Sequence, residues 1–446
     1  MKRFVLFLFL AIFSSSALAQ QSDDDPALIE RARILEEKLN ALQAEQELDF
    51  ITFGGQMTSS YDDINVKETY PDTIDATGLQ YLRLRYSFDM YMDLDPRLKV
   101  YTRMTTTKFY NRVTAQGLVT RPTDLDAAHK YNGPSVILEK GYLDYSATPD
   151  LVLSIGKLPT VEGFPSHLWD NQPRQGTYPY MNFNIPLDGI AATYKISEDL
   201  PEGHILALRA LYTPITFVNL GDGSNSYINP PKEDTNGTTP VGRDVTPMSN
   251  AFTLQLDYSA QDSPLGKSNS LIYQATKLRD LPLPSGMGTS SLSYSGEIHT
   301  LYVEFMDFLL SRFDITAMYS YTIIDAYGFF APGLGAGGTT REAHMYGQSL
   351  LISGRYKFNK WILGAEYIQN SRQAFSFSTA DEDLIRFYRN PGFGYHIYFT
   401  KRLNDFLTLR IGYRDKTQNN YYVGPGPIYS TDRDIRNYYI RLRTDF

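Results

Sequence analysis

The stretch LQYLRLRYSFDMYMDL, residues 79–94, separates into two sets of side chains when every second position is read. Because successive side chains of a β-strand point to opposite faces, the stretch predicts a strand with one apolar face and one polar face. In a soluble sheet the apolar face would meet a core, and in a membrane barrel it would meet lipid. The apolar set is Leu82, Leu84, Tyr86, Phe88, Met90, Met92 and Leu94, and the polar set, with four charges, is Tyr81, Arg83, Arg85, Ser87, Asp89, Tyr91 and Asp93.

The composition of the 446-residue chain favours the membrane alternative. Aromatic residues make up 14% of it, with 34 Tyr and 25 Phe, which is typical of barrels with aromatic girdles at the membrane interfaces. The net charge of -8 argues against a nucleic-acid-binding protein, and the absence of cysteine excludes thiolate chemistry. After residue 19 no apolar run approaches the roughly 18 residues that a membrane helix needs. A membrane form of this chain would therefore be a β-barrel.

Residues 1–19 have the pattern of a cleaved signal peptide. Lys2 and Arg3 precede an apolar core at residues 4–13, and the small residues Ala17 and Ala19 flank Leu18 at the predicted cleavage site. The alternative, a retained anchor helix, is disfavoured because this apolar core is shorter than a membrane span. We expect the mature protein to leave the cytoplasm.

Residues 20–48 predict a periplasmic leader that contains a helix at residues 26–48. Pro26 can occupy the first helical turn, and Leu28, Leu35 and Leu42 recur every seven residues. The heptads favour a short coiled coil that joins three protomers, but a solvated amphipathic leader explains them equally well, since short helices are weak alone.

Residues 49–446 contain sixteen strand-like segments, a count that is good to within two. Short and long connections alternate along them: residues 95–97 separate the second segment from the third, whereas residues 213–250 form a long polar loop. Outer-membrane barrels have short periplasmic turns, long external loops and an even number of strands. We therefore predict an all-β fold, a transmembrane antiparallel barrel of about 16 strands with the short helical leader in the periplasm.

The last segment ends on an alternating face. Tyr438, Ile440, Leu442 and Phe446 share that face, with arginines on the other. A terminal phenylalanine on such a strand resembles the signal by which the bacterial barrel assembly machinery recognises its substrates. The resemblance implies that Phe446 is an assembly signal, that the partners include this machinery and outer-membrane lipid, and that the barrel lies in the bacterial outer membrane.

Basic residues gather on one predicted wall of the barrel, because closure places the last two strands beside the first three. This wall resembles the basic ladder of general diffusion porins, and it implies a mild preference for anions. The alternative is that the charges only keep the wall hydrated. The predicted basic wall comprises Arg83, Arg85, Lys99, Arg103, Arg410, Arg414, Arg441 and Arg443.

The long connection at residues 159–187 holds five prolines and several aromatic residues. A stiff loop of this length can fold inward and narrow the lumen, so it is our candidate constriction loop. The alternative is a surface loop that packs on its own aromatic residues. Its candidate functional residues are Glu162, His167, Asp170, Arg174 and Asp188.

A set of short motifs around this loop resembles an uncharacterised family of bacterial outer-membrane barrels with porin-like architecture. In that family a strand ending in Gly-Arg-x-Pro leads into a Pro- and Asn-rich segment and then an Asp-Gly strand start; here Lys157 replaces the arginine. The family implies a barrel and a pore, and it implies no substrate. The matching residues are Gly156-Lys157-Leu158-Pro159-Thr160, Pro173-Arg174, Tyr178-Pro179, Asn184 and Asp188-Gly189-Ile190.

These patterns predict a porin through which small hydrophilic solutes and ions diffuse passively, as a possible homotrimer. We expect no enzyme, because the six histidines lack a Ser or Asp partner at a recognisable spacing. We expect no cofactor and no metal site, since no zinc spacing or phosphate-binding glycine motif occurs. Two alternatives remain open: a substrate-selective channel, and a non-conducting barrel that displays loops or serves a structural role.

Overall fold

The structure, a computed structural model, describes most of the predicted barrel. Residues 33–38 form an exposed helical segment, and among the described residues no helix is long and apolar enough to cross a membrane. The predicted signal peptide and the rest of the predicted leader helix lie outside the described residues, which are 33–38, 50–69, 74–109, 136–181, 183–196, 200–214, 250–282, 293–309, 312–329, 341–371, 374, 377–378, 383–385, 387–418 and 432–446.

The described residues form a closed antiparallel barrel of 16 strands, as the sequence predicted. Two further strands of two residues each, β6 (Phe183–Asn184) and β15 (Phe377–Ser378), pair in parallel outside the barrel sheet. The barrel strands are β1 (Ile51–Thr69), β2 (Ile74–Asp95), β3 (Leu98–Phe109), β4 (Ile137–Ser146), β5 (Leu151–Leu158), β7 (Leu187–Ile196), β8 (His204–Pro214), β9 (Asn250–Ser263), β10 (Gly266–Pro282), β11 (Ser293–Met306), β12 (Phe313–Phe329), β13 (Arg341–Phe358), β14 (Trp361–Asn370), β16 (Gly392–Arg402), β17 (Leu407–Gln418) and β18 (Asp432–Asp445).

The predicted alternation of connection length is wrong at the first junction. β1 and β2 are joined by residues 70–73 alone, although the sequence predicted a long external link there. Toward the end of β1 the polarity is reversed at neighbouring positions: Ile64 and Val66 are buried inside the barrel, while Asn65 and Lys67 are exposed. A prediction that requires apolar side chains on the outer face therefore places the end of this strand too early.

The two faces of the barrel wall have the polarity of a transmembrane barrel. On β2, Arg83 and Arg85 are buried inside, whereas Leu82, Tyr86 and Phe88 are exposed on the outside. A soluble barrel would bury the apolar set and expose the charges. The exposed apolar set continues around the barrel wall and suits contact with lipid.

The barrel closes at the last residue of the chain. The Phe446 N–H donates to the Gly55 carbonyl at 3.0 Å, and the Gly55 N–H donates to the Phe446 carbonyl at 2.8 Å. The Phe446 ring covers Gly55 so closely that a Cβ there would lie 2.7 Å from it. Gly55 is therefore needed for this contact, whereas the assembly role of Phe446 stays a prediction.

Candidate functional site: the loop inside the barrel

The described part of residues 159–187 lies inside the barrel and contacts inward-facing side chains of many strands. Thr160, Phe164, Trp169 and Asn184 are buried there, and the short helix Ser166–Trp169 lies at the deep part of the loop. The prolines limit the conformations that the unfolded loop can adopt, which lowers the entropic cost of ordering it. The lumen is therefore occupied by an element with its own fixed shape.

Glu162 attaches the loop to the first strands of the barrel. Its carboxylate lies 2.6 Å from Arg103 Nη1, 3.5 Å from Arg85 Nη1 and 3.4 Å from Lys140 Nζ. Burial alone would raise the pKa of the Glu162 carboxyl, but Arg103, Lys140 and Arg85 together hold it well below its usual range. Glu162 is thus ionised at neutral pH.

Lys140 reaches Glu162 because β4 carries a β-bulge. The pairing with β3 runs from Arg103 opposite Lys140 to Met104 opposite Leu138, which leaves Glu139 as an extra residue. A bulge interrupts the strict alternation of side chains, so Glu139 and Lys140 are both buried inside. Glu139 accepts from Arg85 Nη2 at 2.6 Å. A strictly alternating strand has only one of two successive side chains inside, so the sequence did not predict that Glu139 and Lys140 both face inward.

Asp170 attaches the loop to the last two strands. Its oxygens lie 3.1 Å from Arg410 Nη1 and 3.5 Å from Arg443 Nη1. The neighbouring Gln172 donates to Asp445 at 2.9 Å. As predicted from barrel closure, β17 and β18 lie beside β1, β2 and β3, and Arg410 stands directly opposite Arg441.

Of the remaining candidate residues of the loop, two contact the barrel wall and one takes no part in holding the loop. His167 Nε2 lies 3.2 Å from Glu304, and Arg174 Nη2 donates to Asp257 at 2.7 Å, so both face the wall opposite the basic residues. Asp188 pairs with Lys157 at 3.0 Å on neighbouring strands, with 67% of its side chain exposed. Asp188 therefore takes no part in the attachment of the loop.

The predicted basic wall is assembled, with one residue apart from the rest. Arg83 donates to Ser60 at 3.2 Å, and Arg414 lies 3.7 Å from Asp383. Lys99 lies near the turn after β2, pairs with Asp93 at 3.2 Å and is half-exposed. The buried members of the wall are Arg83, Arg85, Arg103, Arg410, Arg414, Arg441 and Arg443.

Glu366 on β14 holds the deepest part of the loop. Its carboxylate accepts from Trp169 Nε1 at 2.7 Å and from the Tyr388 hydroxyl at 2.5 Å. His396 Nδ1 lies 2.7 Å from the same carboxylate, and His396 Nε2 lies 2.7 Å from the Tyr439 hydroxyl. All these groups are buried, so each polar atom in the network depends on its partners.

A second inserted segment, described at residues 383–385 and 387–390, shares this network and was missed by sequence reasoning. Asp383 accepts from the backbone N–H groups of Phe387 and Tyr388 at 2.8 and 3.0 Å, which folds the segment into a compact turn. The Tyr388 ring stacks on Trp169 with centroids 5.2 Å apart. The only signal in the sequence was a pair of aromatic residues in a polar connection. β15, which precedes this segment in the chain, pairs with β6 of the first loop.

An apolar cluster fills the space between the wall and both insertions. It combines aromatic stacking with aliphatic contacts, and such packing excludes water from this part of the lumen. Its buried members are Ile64, Val66, Tyr81, Phe164, Trp169, Tyr180, Met181, Ile272, Tyr302, Met318, Leu351, Ile368, Ile385, Phe387, Tyr388, Tyr398 and Ile435.

A cavity of about 370 Å³ opens where the deep part of the loop meets the short turns. It lies between residues 170–172 and the turns at residues 359–360 and 403–405, with Thr400 and Thr408 on its wall. These turns are on the predicted periplasmic side. Among the described residues no group of three or more His, Asp or Glu could hold a metal ion.

The contribution of Glu162 to loop attachment should depend on pH in a defined direction. Because its pKa is lowered in the folded state, the contribution is fully present above the ordinary Glu pKa of about 4.3 and is lost as pH falls below it. The protection of the loop amides against hydrogen exchange should be higher in wild type than in Glu162→Gln, by a factor that stays constant from pH 7 to about pH 4.5. A difference that vanishes between pH 7 and pH 5 would contradict the ion-pair assignment.

Comparison with known proteins finds a family model that matches part of the chain and several solved barrels that are similar to it. Residues 80–208 match a family of proteins of unknown function, DUF3373. This match confirms the resemblance to an uncharacterised family that the motifs at residues 156–190 indicated. No curated protein matches the chain.

Several solved porin structures are similar to the chain at low sequence identity. The anion-selective porin from Comamonas acidovorans has 11% identity and a TM-score of 0.47, covering 89% of this chain and 99% of its own. OmpF of Salmonella typhi, in complex with daunomycin, has 12% identity and a TM-score of 0.45, with coverages of 88% and 97%. The trimer form of OmpT from Vibrio cholerae has 11% identity and a TM-score of 0.43, with coverages of 89% and 99%.

Proposed function

We propose that this protein is an outer-membrane channel through which small hydrophilic solutes and ions diffuse passively, with a mild preference for anions. The supporting observation is the barrel itself: an apolar outer face, and an inner face on which seven arginines gather along one wall. A polar interior behind a lipid-facing exterior is what a water-filled passage requires. The signal peptide, the periplasmic leader and a homotrimer belong to the same proposal, as does the absence of enzymatic activity.

In the conformation described here the loop at residues 159–187 narrows this passage strongly. Glu162 and Asp170 contact the arginines directly, so at these two points the opposite charges neutralise each other instead of facing across a water gap. We propose that conduction occurs through the space left beside the loop, or when the loop moves away from the wall.

One observation favours a second candidate, a closed barrel with a structural or display role. The loop is attached to strands on all sides of the lumen, and apolar packing around Trp169 excludes water from its middle. A substrate-selective channel is the third candidate, and it would show block of the current by one class of solute.

The first experiment is single-channel recording of the purified protein in a planar bilayer under a salt gradient. Stepwise openings with a reversal potential on the anion side are expected. Absence of current from barrels shown to be folded by their heat-dependent gel mobility would refute the channel and favour the closed barrel.

A double substitution tests whether the basic wall sets ion preference. Arg83 and Arg85 are buried inside on β2, so removal of both charges should shift the reversal potential toward cations. Arg83→Ala with Arg85→Ala is compared with Lys99→Ala, which removes a half-exposed charge near the turn and should shift it less. A shift in the double variant that is no larger than twice the shift in Lys99→Ala would show that only the amount of charge removed matters.

A further inference from the structure

Glu162 is a loop carboxylate placed where three cations of the barrel wall converge. Arg85, Arg103 and Lys140 come from three adjacent strands, β2, β3 and β4, and each lies within 3.5 Å of its oxygens. The Arg103 contact is a short, charge-assisted one, while Lys140 and Arg85 lie farther away, on one carboxylate oxygen and on the other. The wall residues alone, without the loop, have the chemistry of a carboxylate-binding site.

The loop is built to present this carboxylate. Glu162 has a φ of 57°, which is uncommon for a residue with a side chain. Its N–H donates to the buried Asn184 side chain at 3.0 Å, and its carbonyl accepts from the Gly176 N–H at 3.0 Å. Gln175 adds a second loop oxygen, 2.9 Å from Arg103 Nη1. The position of Glu162 is therefore fixed by the fold of the loop itself.

The charges around the site balance only when a carboxylate is present. Two wall carboxylates already pair with the cations, since Glu139 contacts Arg85 and Asp89 contacts Arg103 at 2.6 Å each. At full ionisation the three cations and three carboxylates then balance. If Glu162 leaves, this group of six loses one of its three negative charges among buried side chains, which is unfavourable unless another anion enters. One missing negative charge suits a monoanion better than a dianion.

We propose that Arg85, Arg103 and Lys140 form a binding site for small monocarboxylate anions, and that Glu162 occupies it as a tethered competitor. This proposal rests on the proposed channel and names a solute class for it. A free carboxylate that replaces Glu162 releases this end of the loop from the wall. The solute carboxylate then enters the site in the same step in which the Glu162 carboxylate leaves it and the loop moves.

The test uses chemical rescue in the full-length protein. Glu162→Ala removes a group of about the size of acetate, so acetate should bind to the purified variant in detergent, measured by calorimetry, at least tenfold more tightly than to wild type. Glu162→Gln fills the same space without charge, so it should bind acetate no better than wild type. Asp188→Ala removes a loop-end carboxylate from an exposed pair and is the matched control, so its affinity for acetate should equal that of wild type.

Three results would overturn the proposal. These are equal acetate affinity in Glu162→Ala and wild type, equal gain in Glu162→Ala and Glu162→Gln, or binding in Glu162→Ala that survives Arg103→Gln. Heat-dependent gel mobility shows that each variant is folded. The binding test requires no current, and the bilayer test of wild type requires no acetate, so failure of the site and failure of the channel are distinguishable.

Discussion

Replacing Trp169 by alanine is expected to increase the open probability of the proposed channel by a large factor. The Trp169 side chain is fully buried, donates to Glu366 at 2.7 Å and stacks on Tyr388. Its carbonyl also accepts from Thr400 at 2.6 Å, a bond that alanine would keep. Truncation of a buried tryptophan costs about 3–5 kcal/mol. We assume that all of this cost falls on the attached state of the loop. A cost of about 3 kcal/mol then shifts the equilibrium between the attached and the released loop by roughly 100-fold.

The second of the 2 tryptophans in the chain, Trp361, provides a matched control for this substitution. Trp361 begins β14 and its ring lies 4.5 Å from Lys401 Nζ, away from the inserted loop. Trp361→Ala should leave open probability and current amplitude near the wild-type values. Open probability is read from single-channel records, and loop exposure from hydrogen exchange of residues 159–187. Unchanged exchange in Trp169→Ala would show that the loop is held without this side chain.

Replacing Glu366 by alanine is expected to release both inserted segments together. Glu366 is the shared acceptor for Trp169 of the first segment and Tyr388 of the second, and it also contacts His396. A buried donor left without its acceptor costs about 1–3 kcal/mol, and the substitution creates up to three of them. Hydrogen exchange should therefore rise in residues 166–172 and in residues 383–390 by similar factors.

A graded series makes this second prediction specific. Glu366→Gln keeps one acceptor oxygen, which serves either Trp169 or the pair of Tyr388 and His396, so its exchange should lie between wild type and Glu366→Ala. Glu297→Ala removes a carboxylate from a half-exposed pair with Lys277 and should leave both segments unchanged. Release of one segment alone in Glu366→Ala would mean that the segments are held independently.

The barrel could be predicted from sequence because its determinants are local. On β2 and β18 the alternation of apolar and polar side chains repeats every second residue, and lipid outside and charges inside impose it directly. Prediction failed where a local rule is broken. The outer end of β1 has reversed polarity at Ile64 and Val66, and the bulge at Glu139 interrupts the alternation on β4.

The contacts of the loop could be anticipated only in outline. Pro-rich composition and acidic residues suggested an inserted loop facing a basic wall, and Glu162 and Asp170 do contact Arg103 and Arg410. The Glu366 network was not predictable, because Trp169 and Glu366 are separated by 197 positions. A single sequence holds no pattern that links two such positions. The acetate site proposed for Glu162 likewise depends on Lys140, which only the bulge brings inward.

The great sequence separation of these contacts has a consequence for the order of folding. The bond from Gln172 to Asp445 joins residues 273 positions apart, and the closing ladder of β1 with β18 joins the two ends of the barrel. Formation of such contacts requires large chain loops to close first, which is entropically slow. Asp445 and Glu366 occupy their final positions only after the strands around them have paired. We therefore infer that the newly closed barrel is open inside, and that insertion of the loop is the last step of its maturation.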